Sequence, residues 1–188
     1  MAPPRRKSLI AEEYARWHFR AAGKQPVCRG PEMDLSLWKY TTVPDAGPGR
    51  VVLVNNIVCL TVAPPVAPGR SRLLLLSGER SGQVVTIGQE FCLAFVGQHV
   101  FEANAPALVN ELDHSAPWEY VGQLILTPEG VFVAAITHQE NPVFVGADGS
   151  ITEDIAREKR RVRHWHLSLR DQEGKRVPFL DVSGRLAE

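Results

Sequence analysis

The residues whose types and spacing could best do chemistry are His164-Trp165-His166-Leu167-Ser168-Leu169. Side chains alternate along a β-strand, so His164 and His166 share one side and Trp165 takes the other. Two imidazoles so placed can ligate a divalent cation, with His138 or His114 as a third ligand. With Tyr14 as nucleophile, such a site would suit metal-assisted cleavage of a phosphodiester. The competing reading is two polar positions on a half-exposed strand with Trp165 buried beneath them. Three residues match such a pattern often by chance, so the second reading is adopted.

The metal reading corresponds to HUH-type single-stranded DNA nucleases and is kept as a distant alternative. His166-Leu167-Ser168 also fits half of the paired His-x-Ser/Thr motif of 2H phosphoesterases. That chemistry needs a second copy, and His18, His99, His114 and His138 lack a Ser or Thr two residues on. There is no phosphate-binding G-x-x-x-x-G-K-[ST], no G-x-G-x-x-G and no G-x-S-x-G. Cys28, Cys59 and Cys92 are odd in number and form no C-x-x-C pair. Cys59 and Cys92 lie in apolar runs and read as buried, reduced thiols. The expectation is a non-enzyme without metal or cofactor.

Charge points to surfaces instead. Lys plus Arg equals Asp plus Glu at 21 each, which argues against a nucleic-acid coat. The basic residues nevertheless cluster, at Arg5, Arg6 and Lys7 and at Arg157, Lys159, Arg160, Arg161 and Arg163. These eight are the candidate partner-binding residues, suited to an acidic protein surface.

The elements that must carry these residues read mostly as strands. Ser8 can cap a helix through Ala22, with Gly23 as its stop. Short apolar, β-branched runs then cover 51–54, 57–62, 72–76, 84–87, 91–96, 123–126, 131–136, 143–145, 165–169 and 177–180. Turn residues separate them at 63–69, 77–82, 128–130, 146–149 and 171–174. The spacing leaves no room for crossover helices, so an all-β barrel, sandwich or trefoil is expected. Two short helices are expected at 105–112 and 151–161, the second because acidic residues open it and basic ones close it. Phe91, Leu93 and Phe95 are expected on one buried face, with Cys92 and Ala94 opposite. No apolar run nears the roughly 20 residues of a membrane span, and no leader is visible behind the basic start, so a soluble intracellular protein is expected.

Two segments carry a specific likeness. One is Asp34-Leu35-Ser36-Leu37-Trp38; the other is Gly82-Gln83-Val84-Val85-Thr86-Ile87-Gly88-Gln89-Glu90-Phe91-Cys92-Leu93. In this order the chain resembles the cilia- and flagella-associated protein 161 family, microtubule inner proteins of motile cilia. The likeness runs across roughly residues 29–170 and is strongest over 34–93. The helix candidate stands where the family has an earlier G-D-K-V-type segment, as in a shortened or divergent member. The resemblance implies a β-trefoil-like domain over 29–182, after a basic arm and helix at 1–28 and before a tail at 183–188. It implies a structural role inside the doublet microtubules of the axoneme, with tubulin and other inner proteins as partners. It implies no nucleic acid, membrane or small-molecule substrate and transfers no catalytic residue. The rival reading is a small β-trefoil module binding a ligand or nucleic acid. It is disfavoured because no threefold repeat is visible and Trp17, Trp38, Trp118 and Trp165 are unevenly spaced.

Overall fold

The computed structural model describes residues 35–103, 108–109, 120–155, 160–170 and 173–183. A 3₁₀ turn at Leu35–Leu37 leads into β1, Trp38–Thr42, and a one-turn helix α1, Val43–Ala46. There follow β2 Val51–Val54, β3 Ile57–Ala67, β4 Arg70–Leu75, β5 Val84–Ile87, β6 Phe91–Phe95, β7 His99–Ala103 and β8 Leu108–Val109. The remainder are β9 Leu124–Thr127, β10 Gly130–Ile136, β11 Pro142–Gly146, β12 Ile151–Thr152, β13 Arg160–Val162, β14 His164–Arg170 and β15 Arg176–Ser183. The all-β expectation holds, and each of the ten expected runs contains a strand.

Local chemistry sets the hairpins. Asn55 and Asn56, the two residues between β2 and β3, both take left-handed φ values of 48° and 66°. Asn tolerates that region, and a two-residue hairpin needs it to match the strand twist. At the β9–β10 turn, Thr127 Oγ1 accepts from the Glu129 and Gly130 amides, both at 3.2 Å.

The strands form three antiparallel sheets. The first has the order β1-β6-β2-β3-β4-β5, the second β12-β11-β10-β9-β13-β8 and the third β15-β14-β7. Among the described residues these sheets stay open; none closes into a barrel. All three contribute to one core, including Leu60, Leu74 and Phe95 from the first, Leu124 and Val145 from the second, and Trp165 and Leu167 from the third. The first sheet is buried on its other face too, where Val43 of α1 packs with Val52, Cys59, Leu73, Cys92 and Ala94. That explains why 51–54 and 57–62 are continuous rather than alternating apolar runs.

Hydrogen bonds lock the sheets together. The Ile136 amide donates to the Gly82 carbonyl at 3.0 Å, and the Ala63 amide to the Gly149 carbonyl at 2.8 Å. Trp165 Nε1 donates to the Gly122 carbonyl at 2.9 Å, joining the third sheet to the loop that enters the second. Gly82 has φ +85°, and a side chain there would run into Val121 and the backbone of Gly122. The approach therefore requires glycine.

Three expectations are corrected. Within 105–112, Leu108–Val109 is a strand, and the rest of that span lies outside the described residues. Within 151–161, both Ile151–Thr152 and Arg160–Arg161 are extended. The dipole match favouring a helix there contributes only about 0.3–1 kcal/mol. Burying Val162 in the central core contributes roughly 1.5–3 kcal/mol and needs a strand beside β9. The third concerns Phe91, which is 57% exposed, although Leu93 and Phe95 do share the core face. Phe91 lies at the start of its strand, past the edge of the core, and stacks on Tyr40 with centroids 5.3 Å apart. The 8–22 helix lies outside the described residues. Among the described residues no helix is long and apolar enough to cross a membrane.

Candidate functional site

Of the basic run, Arg160, Arg161 and Arg163 are among the described residues, and Arg160 and Arg161 lie on strand β13 rather than on the expected helix. In β13, Val162 faces Leu124, Arg161 faces Ile125 and Arg160 faces Leu126. Alternation turns Val162 into the central core and Arg161 to the opposite side of the sheet. There the Arg161 guanidinium carbon sits 4.8 Å from the centroid of the Tyr120 ring, a cation–π contact. Arg160 is exposed. Arg163 is half-buried, and its Nε has no hydrogen-bond partner among the described residues. The three arginines thus have three environments, and Arg160 is the one freely presented. Arg5, Arg6, Lys7, Arg157 and Lys159 lie outside the described residues.

Among the described residues, a polar cluster lies on the outer face of the third sheet. Register places Glu102 of β7, His166 of β14 and Asp181 of β15 side by side in one row. The Glu102 carboxylate accepts from Arg176 Nη1 at 2.7 Å on Oε1. On Oε2 it accepts from His166 Nε2 at 3.1 Å and from the Ser168 hydroxyl. The Ser168 bond comes first among the causes that hold the Glu102 carboxyl below the usual carboxylate range, followed among the favourable ones by Arg176. Burial opposes them.

This arrangement differs from a nucleophile–base relay. In such a relay histidine stands between acid and hydroxyl and takes the hydroxyl proton. Here Ser168 and His166 both point at the carboxylate, so the carboxylate is the hub. Ser168 is buried under the cluster. The network ties three strands together and works as a cross-strand clamp.

His164 and His166 do share a face, as their spacing requires, but each has its own tie: His164 Nδ1 lies 3.1 Å from Ser183 Oγ. Among the described residues no three His, Cys, Asp or Glu side chains gather where they could hold a metal ion. Tyr14 and His114 are outside those residues. Sequence reasoning missed Glu102 and Arg176, which are 64 residues from His166 and 74 residues from Glu102 respectively. Only the non-consecutive pairing of β7 with β14 unites them, and nothing local announces it.

Two more groups stand out. Cys59 and Cys92 are buried free thiols behind the first sheet, and burial pushes both up to about 12. At ordinary pH they stay protonated and behave as small apolar side chains. His99 sits between sheets, its Nε2 donating to the Ala147 carbonyl at 2.8 Å and its ring 5.9 Å from that of Phe101. Burial lowers its pKa, and the nearby Arg50 adds to that, while the Ala147 bond acts the other way.

Set against protein-family models, curated proteins and solved structures, the chain matches none of them.

Proposed function

We propose that this protein is a structural component of the ciliary or flagellar axoneme. It binds inside doublet microtubules, stabilises them and acts by contact rather than catalysis. The observation that carries the reading is the pair of segments that resemble those of the cilia- and flagella-associated protein 161 family, Asp34–Trp38 and Gly82–Leu93. Their residues have structural duties here. Trp38 and Leu93 enter the core, Cys92 the second apolar face, and Gly82 the tight junction between two sheets. A β-trefoil-like arrangement is part of this reading through the same resemblance. The partners are tubulin and neighbouring inner proteins. Many weak contacts repeated along a lattice give retention by multivalency. Arg160, with Arg5, Arg6, Lys7, Arg157 and Lys159, supplies positive charge toward acidic tubulin surfaces.

Localisation tests the reading. A tagged copy expressed in ciliated cells is expected along the full length of motile axonemes. Uniform cytosolic or nuclear signal would refute it.

A further inference from the structure

The β3–β4 hairpin departs from regular pairing near its tip. Val62 pairs with Arg72 and Ala67 with Arg70, so the four residues 63–66 stand against the single Ser71. The surplus residues form an irregularity within β3, and the stretch from there through the hairpin tip reads Ala63-Pro64-Pro65-Val66-Ala67-Pro68-Gly69-Arg70. From Pro64 to Pro68 all five side chains are exposed and apolar; Val66 is 45% exposed, among the largest values for a described apolar residue. Its base is fastened by the Ala63 amide bond to Gly149. Gly149 in turn packs against Gly49, with no room for a side chain between them.

We propose that this ridge is a docking element for a second protein, whose surface is a shallow groove floored by aromatic rings and rimmed by carboxylates. Each part of that description follows from the ridge. Pro64, Pro65 and Pro68 have no N–H, so the segment cannot extend a β-ladder with another strand, which disfavours edge-to-edge pairing. Proline rings and exposed carbonyls along an extended chain match aromatic grooves, whose rings stack on the pyrrolidines while their N–H and O–H groups reach the carbonyls. Arg70 is exposed at the far end of the ridge, and Arg72 is half-exposed beside it. The pair therefore prefers an acidic rim. Prolines and the anchored base leave little freedom to lose on binding. The ridge is separate from the basic residues of the axonemal reading, and its assignment stands whichever compartment holds the protein.

The test is photo-cross-linking by the full-length chain in extracts of its native cells. A benzoylphenylalanine is placed at Val66, and a control chain carries it at Val131, another exposed apolar position. We expect a dominant adduct from position 66, mapping by mass spectrometry to a partner segment containing Trp or Tyr together with Asp or Glu. Arg70→Glu should reduce its yield about tenfold, equivalent to about 1.4 kcal/mol. The double variant Pro65→Ala, Pro68→Ala should reduce it similarly, with thermal melts showing both chains folded. Arg70 is exposed, so its reversal keeps the test decisive if the proline variant melts early. Yield at position 66 no greater than at position 131, adducts on a surface without aromatic residues, or indifference to Arg70→Glu would each overturn the proposal.

Discussion

Trp165 and Phe91 show how differently two aromatic residues on β-strands contribute. Trp165 is fully buried, donates its indole N–H to Gly122 and meets the Phe101 ring edge-on at 5.1 Å. Trp165→Ala should destabilise the fold by roughly 3–5 kcal/mol, the range for a large aromatic truncated to a cavity. Phe91→Ala loses an exposed stack on Tyr40 and should cost about 1 kcal/mol. Chemical denaturation of both variants checks the contrast. The burial of Trp165 was legible, because it alternates with two histidines. The exposure of Phe91 was not, because both faces of β6 are covered over Cys92–Phe95 and alternation cannot reveal where the cover ends. His99 gives a second prediction. Its folded pKa is depressed, so its contribution is complete above the unfolded value of about 6.5 and is lost as pH falls through the folded value. His99→Gln keeps a donor toward Ala147 but cannot charge. Melting temperature should therefore fall less for His99→Gln than for the parent between about pH 7 and 5. Equal slopes would mean that His99 charges freely in the folded state.

At the scale of elements, β13 is where reading and structure part. The run 157–163 has the composition of a charged helix end, and the strand pairing of buried Val162 with Leu124 of β9 and with Leu108 of β8 decides otherwise. That pairing joins residues distant in sequence, so no local pattern could report it. The ten expected strands were legible because apolar β-branched runs and Gly, Pro and Asn turns are local properties. Short strands such as β8, β12 and β13 exist only through their partners. The same distance hid the Glu102 clamp, although the shared facing of His164 and His166 followed from spacing alone. The strand assignment predicts different outcomes for neighbouring arginines. Arg161→Glu removes the contact with Tyr120 and places a carboxylate over the ring, so it should destabilise the fold by about 1 kcal/mol or more. Arg160→Glu, at an exposed position, should shift stability by less than about 0.5 kcal/mol. Equal effects in thermal melts would contradict the alternation.

At the scale of the whole molecule, the described residues form three sheets around one core, fastened to one another at Gly82, Gly122 and Gly149. Such a body suits a part held by many neighbours. On the proposed function, Arg160→Glu should reduce retention in axonemes while leaving the melt unchanged, because a single exposed ion pair is worth only about 0–1 kcal/mol but would recur at every lattice repeat. The central claim, a place inside the doublet, is tested most directly by extraction. Purified axonemes are washed with detergent and then with high salt, and the protein is followed through each fraction. The account predicts that it stays with the doublets after membrane, matrix and outer-surface proteins have been released, and leaves only when the doublets themselves are disrupted. Release in the detergent or salt wash, or absence from axonemes from the start, would contradict it.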